Sequence, residues 1–145
     1  MDEVEEAIKV TRKALTLTPE DSPVWTEHWS TLGGLSVSQY IRLQLESDVD
    51  QAVDNYRSAV MHPTGEPLHR IMAASVMVQL CPEYEQSYEI GRAALDIVPM
   101  LSAVRSLDTA DRPYLLSHAA GLAANMAGAA LKINKQPSEA LSILE

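Results

Sequence analysis

The stretch VDQAVDNYRSAV, Val49 to Val60, decides the fold because its pattern occurs twice more, as VEEAIKVTRKAL from Val4 to Leu15 and as YEQSYEIGRAAL from Tyr84 to Leu95. The copies begin 45 and then 35 residues apart. Positions three and four apart share one face of an α-helix. In each copy that face is a stripe: Val4, Ile8, Thr11 and Leu15; Val49, Val53, Tyr56 and Val60; Tyr84, Tyr88, Gly91 and Leu95. Small residues flank the stripes, first Ala7, Ala52 and Ser87, then Ala14, Ala59 and Ala94, so a neighbouring helix can come close. A helix that repeats in tandem and cannot bury its face alone is the signature of a helical-repeat architecture.

Working outward, Pro19, Pro63 and Pro99 stop or closely follow the copies, and Glu20-Asp21-Ser22 marks the first loop. The pattern predicts an all-α solenoid of about seven antiparallel helices forming one domain over residues 1–145. Repeat-type helices are expected over 3–18, 49–62, 84–98 and 137–145, with intervening helices over 23–46, 66–80 and 110–134. Met100 to Thr109 reads as a linker with a short helical turn. The last intervening helix is rich in Ala and Gly, including Gly121 and Gly128. Since Gly costs a helix about 1 kcal/mol relative to Ala, these glycines imply close backbone packing. The first copy lacks a helix before it, and PSEALSILE opens a fourth copy that stops at Glu145. Terminal repeats of a solenoid ordinarily have a polar outer face, so Leu141, Ile143 and Leu144 require cover by further chain or by a partner, a symmetric homodimer being one arrangement.

Composition narrows the function. Apolar residues make up 46% of the chain and aromatics 5%, with no Phe, so the interior must be filled by aliphatic side chains and Ala. The formal charge of −9 repels phosphate backbones and anionic lipid, which argues against nucleic acid and membrane surfaces as partners. The run Ala119 to Leu131 is well short of the roughly 20 residues of a spanning helix. MDEVEEA at the start has neither the basic nor the apolar region of a signal peptide, and Cys81 is a single cysteine, so a cytoplasmic location is expected.

Catalytic, metal and cofactor sites find little in the residue pattern. A thiolate needs a nearby imidazole at neutral pH, and Cys81 could look to His28, His62, His69 or His118. Its setting among Val76, Val78, Leu80 and Pro82 reads instead as a buried thiol. Glu66 and His69 have the i, i+3 spacing used in di-iron sites, but no second such pair exists, and a solvated helix start explains them. His62 and His69, seven apart, fit no zinc spacing. Gly33-Gly34 is followed by no Lys or Ser/Thr at the spacing of a phosphate loop. No catalytic residue, metal ligand or cofactor is assigned, and the chain is not expected to be an enzyme.

Binding residues are more readable. Arg12, Arg57 and Arg92 share one column of the three copies. They read either as a ladder for an acidic partner or, more simply, as struts to the neighbouring repeat with their stems along apolar surface. Trp25, His28, His69 and Arg70 fall on the intervening helices, the kind that line the groove of such repeats, and are the candidate partner-binding residues. Trp29, one turn after Trp25, reads as core, although Trp is favoured at binding hot spots.

Trp29-Ser30-Thr31-Leu32-Gly33, then Tyr40, Ala52, Arg57-Ser58-Ala59-Val60 and Pro63, resembles the enlarged tetratricopeptide repeats of fungal proteins that end in a CHAT domain, a caspase-like cysteine-protease fold. Ser106 to Glu145 is similar to the segment just before that domain. The resemblance covers nearly the whole chain and implies a sensor or scaffold region that regulates an attached protease, whose catalytic His and Cys would fall beyond Glu145. Some tetratricopeptide grooves bind the acidic C-terminus of heat-shock chaperones through Lys and Asn. Glu27, His28, His69 and Arg70 stand on the equivalent helices here, without Lys or Asn, which argues against that activity. The reading is a protein-interaction module whose partner is another protein or a downstream domain of the same chain. The alternative is a small helical enzyme or a ligand or metal carrier, which would show a closed cavity with converging His and Glu.

Overall fold

The computed structural model describes residues 2–99, 111–135 and 137–145. Every regular element among them is a helix, so the fold is all-α. The helices are α1 (Glu3–Leu17), α2 (Val24–Leu43), α3 (Glu46–Met61), α4 (Pro67–Leu80), α5 (Tyr84–Leu95), α6 (Asp111–Lys132) and α7 (Pro137–Leu144). The expected linker from Met100 to Thr109 lies outside the described residues.

Local chemistry sets the boundaries. Asp2 precedes α1 and its carboxylate accepts from the Val4 amide at 3.4 Å, while Glu3, Glu5 and Glu6 place negative charge at the positive end of the helix dipole. Pro67 opens α4, where its missing N–H costs nothing. The α2–α3 junction is tighter than the sequence suggests, since α2 stops at Leu43 rather than 46 and α3 starts at Glu46 rather than 49. Gln44 makes the turn in the left-handed region at φ 54°, donating its backbone N–H to the Tyr40 carbonyl at 2.7 Å and its side-chain amide to the carbonyls of Tyr40 and Ile41 at 3.2 Å. Asn134 ends α6 in the same region at φ 59°, and the Lys135 N–H reaches back to the Ala130 carbonyl at 2.9 Å.

Each helix packs on its successor; in addition α2, α4 and α6 touch in turn and α3 touches α5, so α2 to α6 fall into two rows. One core runs through them, built on Ala52, Val60, Ile71, Met77, Ala94, Leu122 and Met126. The small columns of the second and third copies are buried, with Ala52, Ala59 and Ala94 fully so and Ser87 nearly so, whereas Ala7 and Ala14 of the first copy are half-buried. At Gly33, Gly65 and Gly91 the backbone itself is a packing surface. A Cβ on Gly33 would stand 2.8 Å from the ring of Tyr56, and one on Gly91 would stand 2.6 Å from Cγ of Met126.

Two sequence expectations need correction. Among the described residues Gly121 and Gly128 do not mark close packing, because none of them lies within 4 Å of a Cβ at either. The buried side of α6 is formed by Leu115, Ala119, Leu122, Met126 and Ala130, which leaves both glycines on the outer face. At the C-terminal end Ile143 turns into the core, so it needs no cover, while Leu141 and Leu144 remain 61% and 55% exposed. The first helix is similar, with Leu15 its sole buried residue and Val10 and Leu17 outward. No helix among the described residues is long and apolar enough to cross a membrane.

Candidate functional site

Because α1 leans on α2 but stands off from α3, a cleft of about 910 Å³ opens between α1 and α3, with α2 as its floor. Trp25, Trp29 and Leu32 of α2 and Leu15 of α1 supply its apolar surface, and Arg12, Gln51, Asp54 and Asn55 supply polar side chains around it. Both tryptophans of the chain are therefore here, their ring centroids 6.3 Å apart. Trp25 is fixed by its indole N–H, which donates to the Thr18 carbonyl at 3.0 Å, and by the ring of His62 at 5.6 Å. His28 faces the same turn, with Nε2 3.4 Å from the Thr18 hydroxyl. Trp29 also packs against the core. An indole held in place at the edge of an open, largely apolar cleft is a surface that can bind with little loss of side-chain entropy.

A second cleft, about 620 Å³, lies between α2 and α4 over Tyr56 of α3. Glu27 and Thr31 on one side face His69, Met72 and Val76 on the other. Nδ1 of His69 is 3.5 Å from Oε1 of Glu27 and 3.5 Å from Oε2 of Glu66. Sequence spacing exposed the Glu66–His69 pair, but Glu27 joins it only through the packing of α2 beside α4.

The four candidate partner-binding residues are thus divided. Trp25 and His28 stand at the first turn and cleft, and His69 stands in the second cleft. Arg70 turns inward, its Nε donating to the Val60 carbonyl at 2.7 Å, so that it caps the C-terminal end of α3; burial pushes its pKa down. The arginine column divides as well. The Arg57 guanidinium donates to the Gln86 side chain of α5, a strut between repeats, whereas Arg12 is exposed at the first cleft and Arg92 is exposed on α5.

Cys81 is buried and directs its thiol to the Glu83 carbonyl at 3.5 Å and to Gln86 at 4.0 Å. Among the described residues no imidazole lies within hydrogen-bonding reach of it. A further contact that spacing could not show joins α5 to α7: the Tyr88 hydroxyl donates to Glu139 at 2.5 Å, and the Lys135 ammonium lies 5.3 Å above the Tyr88 ring.

No family model, curated protein or solved structure matches this chain.

Proposed function

We propose that the chain is a protein-interaction module of tetratricopeptide-like repeats, and that it serves as a regulatory region for an attached caspase-like protease in the cytoplasm. It works by binding rather than by chemistry. The three aligned copies and the two rows of helices support the repeat reading. The residue pattern around Trp29 and the stretch from Ser106 support the link to a caspase-like domain through the resemblance they carry.

The observation that carries the interaction reading is the open cleft holding both tryptophans, with Trp25 pinned by Thr18 and His62. Its partner is an apolar protein segment that lies across Trp25 and Leu15 and meets polar side chains at the edge. Exposed Val10 and Leu17 on α1, and Leu141 and Leu144 on α7, add apolar surface at both terminal helices.

The test is site-specific photo-crosslinking in cells. A photoreactive residue replacing Ser58, which lines the cleft, is expected to give a discrete protein adduct, and the same residue at exposed Glu85 of α5 is not. Trp25→Ala should abolish the adduct while leaving the helical circular dichroism spectrum in place. An adduct equally strong at both positions, or none at Ser58, would contradict the proposal.

A further inference from the structure

Beyond protein binding, we infer that Glu27, Glu66 and His69 form a binding site for one divalent transition-metal ion of the zinc class, bridging α2 and α4 across the second cleft. One carboxylate comes from the first turn of α2, one from the N-cap position of α4, and the imidazole from the first turn of α4. One donor atom from each of the three side chains can be chosen so that all lie within 4.8 Å of one another.

The spacing of both carboxylates around the imidazole suits a metal ion. A charge-assisted N–H···O bond closes to about 2.7–2.9 Å, whereas Nδ1 of His69 stands 3.5 Å from a carboxylate oxygen on either side. A tetrahedral ion with bonds of about 2.0–2.1 Å holds its ligands about 3.3–3.4 Å apart, which is close to both observed distances. Nδ1 is also shielded from solvent and makes no hydrogen bond, although the imidazole as a whole is a third exposed. In the neutral tautomer with its proton on Nε2, Nδ1 offers a lone pair to a cation lying between the two carboxylates.

The donor set selects the class of ion. One imidazole and two carboxylates suit zinc and similar metals, while calcium and magnesium prefer oxygen ligands throughout. Two carboxylates balance the two positive charges, and the net charge of −9 raises the local concentration of cations. Glu27 and Glu66 are about half exposed, so a fourth position is left for water, as in open three-ligand sites. Since the ligands come from successive helices of one row, a bound ion ties α2 to α4 and braces the groove.

The test is isothermal titration of the full, untagged chain with zinc chloride, with magnesium and calcium chloride as comparisons. The expected result is one zinc per chain, no comparable binding of the other two ions, and a rise in melting temperature with zinc. Glu27→Gln and His69→Gln should each weaken binding by at least about tenfold, the scale on which site perturbations act, and His118→Gln, on α6 and away from the site, should leave it unchanged. X-ray absorption of the zinc-loaded wild-type chain, which does not depend on any variant folding, should show an N/O shell containing a single imidazole. Unchanged zinc binding in His69→Gln, a shell with two or more imidazoles, or no binding at unit stoichiometry would overturn the inference.

Discussion

Gly91 of α5 lies so close to Met126 of α6 that a Cβ at position 91 would overlap the sulfur and stand 2.6 Å from Cγ. Met126 is fully buried, so its thioether would have to shift within the packed core to make room. Overpacking of this kind costs about 1–3 kcal/mol, and the better helix propensity of Ala, about 1 kcal/mol, offsets only part of it. Gly91→Ala should therefore lower the urea midpoint. Gly121→Ala, on the open face of α6, should raise stability by about 0.5–1 kcal/mol. Chemical denaturation of the two variants checks the opposite signs.

The arginine column offers a second test. Arg57 bonds to Gln86 across repeats and is partly buried, while Arg12 is exposed at the cleft. Arg57→Ala should lower the melting temperature by several degrees, corresponding to about 1.5–3 kcal/mol for a hydrogen bond with a charged partner, its stem packing included. Arg12→Ala should leave melting unchanged and act on partner affinity. Equal losses of stability from both would mean that the column is wholly structural.

A third prediction concerns the hold of α7. Glu139 accepts from the Tyr88 hydroxyl and raises the phenol pKa above its usual 10.0, with burial adding to the effect. Because the folded value is the higher one, this contact stabilises the fold fully below pH 10 and is lost as pH rises through the raised value. Burial also raises the Tyr56 phenol, so tyrosinate absorbance near 295 nm should show late titration from both residues, and Tyr88→Phe should remove one phenol's share of it. Amide exchange in α7 should be faster in that variant at neutral pH.

At the other terminus the sign reverses. The Arg42 hydrogen bond holds the Asp2 carboxyl below its usual 3.8. The contribution of this pair is present above that value and fades as pH falls through the depressed one. A carbon-detected NMR titration should place Asp2 below 3.8, and Arg42→Gln should move it back toward the ordinary value.

Much of the helical pattern was legible because it is local. The columns at three- and four-residue spacing pointed to Ala52, Ala59 and Ala94, which are fully buried, and the prolines marked chain breaks close to the observed ones. The α2–α3 turn was not legible, since Gln44 takes up a left-handed conformation that sequence usually signals with Gly or Asn. Nor could composition show which face α6 buries. Ala occurs all round the helix, and Gly121 and Gly128 proved to face outward. The candidate sites were legible in part. Trp25 and His69 stood out by residue type, but the Leu15 wall opposite Trp25 and the approach of Glu27 to His69 are products of tertiary packing.

The central claim, that the cleft at Trp25 receives another protein segment, is tested most directly by hydroxyl-radical footprinting in cells compared with the purified chain. Trp25 should be oxidised markedly less in the cell than in isolation, while exposed Tyr114, away from the cleft, reacts alike in both. Equal oxidation of Trp25 in the two settings would mean that the cleft is empty where the protein works, and would contradict the account.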